Sequence, residues 1–164
     1  MTLPQLWTAI EALPFAVAVR QSGWMFPTIE SIHVLAIVLV MGTVAIVDLR
    51  LLGLPNREKA VRRLTQEVLP FTWGFFVLSV ITGGLMFCSS ASTYAVAWPF
   101  QFKMILMVLA GLNMIVFHLL PYRTVHLWDV LTHPPIGAKI MAATSLCLWV
   151  GIVCFGRWIG FVTN

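Results

Sequence analysis

Four long apolar stretches, at about 28–52, 70–90, 100–121 and 139–161, constrain this chain more than any other feature. A hydrocarbon core about 30 Å thick is crossed by roughly 20 apolar residues in a helix. Inside it the backbone amides find no water, so each stretch must bond to itself as a helix. Hydrophobic residues make up 60% of the 164 and charged residues only 10%, which leaves nothing from which to build a separate soluble domain. The predicted fold class is all-α: a four-transmembrane-helix bundle in one integral membrane domain spanning 1–164.

The segments outside the spans carry their own patterns. Leu3, Leu6, Trp7, Ile10, Leu13 and Val17 recur at helical spacing, with Gln5, Thr8 and Glu11 elsewhere on the wheel and Pro14 in the middle. Residues 1–26 therefore read as an amphipathic interfacial helix and a turn, the turn placing Trp24 and Phe26 at headgroup depth. No basic region precedes an apolar core, and Glu11 interrupts the run, so no signal peptide is expected. Residues 55–69, with Arg57, Lys59, Arg62 and Arg63, predict a short basic helix on the membrane surface that binds anionic lipid. Residues 89–101 are an uncharged connection and 122–138 a polar loop.

Orientation follows from the Lys and Arg count. Loops after spans one and three hold seven (Arg50, Arg57, Lys59, Arg62, Arg63, Arg123, Lys139), and the other side three (Arg20, Lys103, Arg157). The positive-inside rule predicts both termini outside, hence periplasmic, in a bacterial inner membrane. A net charge of +4 concentrated in these loops serves orientation and gives no support to a nucleic-acid partner. The expected surroundings are the lipid bilayer and further subunits, either copies of this chain or a larger membrane complex. Four short spans leave much surface facing outward, and the glycines favour close helix packing.

Ionisable groups at membrane depth usually have a task. At 1.5 Å per residue, Glu30 and His33 lie toward the outer face, where Lys103 opens span three and Arg157 closes span four. His118 ends span three on the opposite side, roughly 20 Å from His33, so the two cannot share one ion. Lys103, Met107, Ala110, Met114 and Phe117 form one face of span three, with His118 on its flank, while Glu30 and Asp48 fall near His33 in projection on span one.

Three readings account for the outer groups. In the first, His33 is the axial ligand of a b-type haem, with Met104 or Met107 as the sixth ligand. Lys103 and Arg157 hold the propionates, and Glu30 fixes the imidazole tautomer. Such a cytochrome b would pass electrons between a periplasmic donor and quinone. A bis-histidine haem is excluded at that level, because no second histidine lies there. In the second, eight methionines, three cysteines and four histidines handle copper, although no MxxM or CxxC motif sits at a membrane face. In the third, Glu30, His33, Lys103 and Arg157 neutralise one another and fix the assembly of a non-catalytic subunit or scaffold.

On the opposite face, His118, Tyr122, His126 and His133 gather with Arg50 and Arg123 near the end of span three. His118 and His126 are candidate ligands for a second haem or a metal if the loop folds back, and otherwise meet headgroups. Asp48 and Arg50, two apart, do not face each other on a helix and reach different partners. Cys88, Cys147 and Cys154 lie in apolar segments, where buried inert thiols are the default; Cys88 and Cys154 approach the same face and are the one pair placed for a disulfide. The chain contains no Ser–His–Asp set, phosphate loop or HExxH, which leaves hydrolase chemistry without support.

Arg20-Gln21-Ser22, Trp24, Pro27, Glu30 and His33, followed by Asp48-Leu49-Arg50-Leu51-Leu52-Gly53, resemble an uncharacterised family of small bacterial four-helix membrane proteins. Pro70-Phe71-Thr72-Trp73, Lys103, Asn113 and Phe117-His118 extend the resemblance over about residues 7–120. It implies the four-helix fold and brings no activity with it. His33 in an early span and Lys103 opening a later one are also similar to the copper-resistance D proteins and the haem-containing protoporphyrinogen oxidase of bacteria. That likeness implies a haem or copper ligand at His33 and a functional cation at Lys103.

Overall fold

The computed structural model describes residues 2–54, 60–129 and 134–163. Within them the protein is all-α, and four helices are long and apolar enough to cross a membrane. These are α3 (Met25–Leu52), α4 (Val61–Ser89), α6 (Trp98–Leu119) and α8 (Ile136–Val162). Shorter helices lie at the two ends. At the end bearing both termini are α1 (Leu3–Glu11), α2 (Pro14–Gln21) and α5 (Ala91–Val96). At the basic-loop end a 3-10 turn (Pro121–Thr124) leads into α7 (Val125–Trp128).

The long helices bury little of their apolar surface against each other. Val34, Leu35, Ile105 and Val108 all leave more than half their surface exposed. In water such a face would cost about 25 cal/mol per Å²; in hydrocarbon it costs nothing. What is buried between helices is mostly small: Ala36, Ser79, Thr82, Ala138 and Ala142. Small side chains let backbones approach, which drives helix association where lipid has removed the hydrophobic force. Larger side chains cluster at the basic-loop end, where Leu51, Val61, Phe117, Val125 and Trp128 pack together.

Helix α3 packs along α4, α8 packs along α6, and α3 meets α8 between the two pairs. Helices α4 and α6 close the square in sequence but do not pack along each other. A cleft is therefore left between them.

Polar contacts tie the ends. Arg20 Nη1 on α2 donates to the Ser89 carbonyl at 3.2 Å. Glu11 on α1 accepts from the Ser92 amide at 2.7 Å and its hydroxyl at 2.6 Å, and so caps α5. At the other end Gly53 closes α3 at φ 87°, with the Leu54 amide bonded back to the Leu49 carbonyl. That left-handed cap suits glycine. The Asp129 carbonyl accepts from Arg50 Nη2 at 3.2 Å, and the Asp129 carboxylate accepts from the Arg62 amide at 3.0 Å. Asp129 thus caps the first turn of α4, which Ala60 cannot do.

Two expectations shift. Where the sequence predicts a surface helix over 55–69 and a new span from Pro70, one helix runs unbroken from Val61 to Ser89 with Pro70 inside it. Val61 and Thr65 are buried against the neighbouring elements. Packing and the Asp129 cap hold that first part in line with the span despite the missing proline amide. The uncharged 89–101 connection holds α5. The N-terminal segment divides at Pro14, which opens α2 at the position proline favours. Arg57, Lys59 and His133 lie outside the described residues.

Candidate functional site

Two clusters of polar side chains lie inside the bundle, one toward each end. Near the terminal end, α3 carries His33 against α4. The Thr82 hydroxyl donates to the Leu78 carbonyl at 2.8 Å, which leaves its oxygen as acceptor for His33 Nδ1 at 2.9 Å. In the neutral imidazole Nδ1 therefore carries the proton and Nε2 keeps its lone pair. Gly83 makes this approach possible: a Cβ there would stand 2.9 Å from His33 Cε1. Lys103 on α6 is near enough to act on His33 electrostatically. Its stem runs along α8, where a Cβ at Gly156 would lie 3.5 Å from Nζ.

The remaining outer candidates do not join that pair. Glu30 is exposed, and its charge falls on Tyr94 of α5, whose hydroxyl burial and that charge together hold above its ordinary value. Arg157 is exposed, with its guanidinium 5.1 Å above the Phe161 ring. Met104 is also exposed, whereas Met107, one turn on, faces the interior. Of the expected outer set, His33, Lys103 and Met107 point inward, and Glu30, Met104 and Arg157 lie on the outside.

Toward the basic-loop end, all four long helices enclose a cavity of about 180 Å³. Asp48, Thr65, Asn113, His118 and Ser145 stand on its wall among Val, Leu, Met and aromatic side chains. Asp48 is 7% exposed, faces the Ser145 hydroxyl, and leaves Oδ2 without a hydrogen-bond partner. Thr65 is 5% exposed, and its hydroxyl is also unpartnered. His118 Nδ1 donates to the Met114 carbonyl at 2.9 Å, so the neutral ring again keeps its lone pair on Nε2. Asn113 spends its amide on the Met141 carbonyl at 3.1 Å. The Tyr122 ring lies 5.2 Å from that of His118, while His126 is exposed on α7.

Among the described residues no three His, Cys, Asp or Glu side chains come together as a metal site, and Cys88, Cys147 and Cys154 are free thiols. Sequence reasoning singled out His33, Lys103, Met107 and His118, but it missed Thr82, Thr65 and Ser145. Hydroxyls are common in apolar helices, where they bond to their own backbone. The adjacent Gly83 and Gly84 were the visible sign of a close approach at α4.

No curated protein and no solved structure matches the chain. Residues 11–162 match a family of unknown function, DUF6644, so that nearly the whole bundle, from the end of α1 to the last turn of α8, is family architecture. The chain belongs to that family, and four of its helices are long and apolar enough to cross a membrane.

Proposed function

We propose that the chain is a small b-type haem-binding protein of the bacterial inner membrane, passing electrons between a periplasmic donor and quinone. The observation that carries the reading is the His33 imidazole, fixed through Nδ1 by Thr82 and holding its Nε2 lone pair free beside Lys103. That is the state an axial ligand requires, with the second ring nitrogen committed to a partner. The residues fit an axial ligand and one propionate cation. The 180 Å³ cavity farther down has room for a single ring and not for a porphyrin. On this reading the haem lies at the outer end, held by His33 and Lys103.

Haem supplies reversible one-electron transfer when bound. The chain's own part is to orient and to balance charge. Thr82 holds the imidazole in one tautomer, and Gly83 lets it rest against α4. Lys103 brings a cation near the imidazole, where a carboxylate taken out of water needs one. Met107 is the thioether on the interior face of α6, and Met104 is turned outward.

The test is the visible spectrum of purified protein made with ample haem, oxidised and then reduced with dithionite. A Soret band with a sharp α-band is expected, and it disappears in His33→Ala while insertion continues. A flat wild-type spectrum would sink the reading. The scaffold reading rests on the same bond, His33 to Thr82, as a cross-link between α3 and α4. It predicts no chromophore, and His33→Ala that inserts but loses assembly.

A further inference from the structure

The cavity near the basic-loop end is separate from His33 and Lys103, neither of which lines it. Three features define what it would take. The first is size: cavities of about 150 Å³ in protein cores hold one benzene ring, and this one measures about 180 Å³.

The second is its unspent polar groups. Thr43 and Thr72 on the wall donate to their own helix backbones, and the Asn113 amide is committed to Met141. Among the groups with capacity left are Asp48, 93% buried with Oδ2 unpartnered, the unpartnered Thr65 hydroxyl, and His118 Nε2. A buried polar atom without a partner is costly, so a bound group that satisfies it gains affinity. Asp48 on α3 and His118 on α6 are acceptors on helices that do not pack on each other, with the cavity between them.

The third is access. Leu69 and Trp73 on α4 face Met114, Ile115, His118 and Leu119 on α6 across a second, contiguous opening in the α4–α6 cleft. Leu69, Trp73, Met114 and His118 are common to both. This opening lies on the lipid-facing flank of the bundle and is apolar apart from the imidazole. A ligand entering here comes from the bilayer and leaves an apolar tail in the cleft.

We propose that this cavity is a binding site for an isoprenoid hydroquinone. Its ring fills the space between α3 and α6, its two hydroxyls donate to Asp48 and His118, and its tail leaves between Leu69, Trp73, Ile115 and Leu119. The two hydroxyls stand on opposite edges of one ring, which matches acceptors presented from opposite sides. A lipophilic amine would use Asp48 and leave His118 unmatched. The site gives the quinone of the proposed electron path its place and rests on that reading for its redox role, whereas binding itself does not require haem.

Binding is measured with a decyl-tailed benzohydroquinone added to the full chain in lipid nanodiscs, read as quenching of tryptophan fluorescence. Trp73 and Trp149 line the cavity and report occupancy without any haem. Saturable quenching is expected, with its amplitude reduced in Trp149→Phe. Asp48→Ala and His118→Ala should each weaken binding at least tenfold. Gly111→Leu supplies a further variant: Gly111 lines the cavity and a Cβ there meets nothing within 4 Å, so the added side chain should take up space the ring needs, and saturable quenching should vanish while helicity is retained by circular dichroism. Quenching that never saturates, or that Gly111→Leu leaves intact, would mean partition into lipid and would overturn the site. Saturation by decylamine but not by the hydroquinone would overturn the ligand class. Because binding is read on fluorescence, a flat haem spectrum with saturable quenching removes the haem alone.

Discussion

A single methyl group separates two neighbouring glycines. A Cβ at Gly83 would press on the His33 ring at 2.9 Å, whereas one at Gly84 meets nothing within 4 Å. Gly83→Ala should push the imidazole off Thr82 and destabilise the protein by about 1–3 kcal/mol, through overpacking and a lost hydrogen bond. Gly84→Ala should be close to neutral. Thermal unfolding in detergent, followed by circular dichroism, separates the two; equal effects would show that the contact carries no weight. His33 itself was legible in the sequence, because an imidazole in an apolar helix is conspicuous. Its partner was not, since Thr82 looks like any threonine until α4 is laid against α3.

The short helices are held by capping contacts whose partners are distant in sequence. Glu11 and Ser92 are an example, and they bring a pH dependence. The Ser92 hydroxyl and amide hold the Glu11 carboxyl below its ordinary value of 4.5, against the opposing effect of its burial and with a lesser pull from Arg20. A carboxyl depressed in the folded state stabilises fully above its unfolded value, and that contribution is lost as pH falls through the depressed one. Docking of α1 on α5 should therefore be intact at neutral pH and loosen only below about 4.5. Trp7 packs edge-on against Phe87 at 5.7 Å, so its emission should shift to the red over that range. Glu11→Ala should produce the shift at pH 7, and an unchanged Glu11→Ala spectrum would remove the contact from the account. At the other end, Asp129→Ala should cost about 0.5–2 kcal/mol by uncapping α4. Asp129→Asn should recover most of that. The sequence predicted helices at both ends, but it could not show that residue 129 stabilises a turn at residue 62.

Across the molecule, the charge distribution predicts its direction in the bilayer. An alkaline phosphatase fused at the C-terminus should be active, because that enzyme matures only outside the cytoplasm, and a fusion after Gly53 should be inactive. The reverse pattern would invert the proposed topology. That pattern would also place the cavity, which lies toward the basic-loop end, in the outer leaflet. The open α4–α6 flank and the exposed apolar faces suit both a lipid-soluble ligand and further subunits.

Length, hydropathy and the positions of Lys and Arg are properties of the chain in order, and they suffice to predict four spans, the surface helix before them and an orientation. These follow from transfer between water and hydrocarbon, which acts on each segment separately. Which polar groups meet is a different kind of question. Glu30, His33, Lys103 and Arg157 share one depth, yet only His33 and Lys103 turn inward, because helix rotation is set by which small faces pack together. The cavity exists because α4 and α6 fail to close on one another, and the unpartnered Asp48 lies on its wall for the same reason. Segment hydropathy carries no information on either point, since lipid solvates an apolar helix equally well at any rotation. Contacts between Ala, Ser, Thr and Gly on neighbouring helices are what choose one.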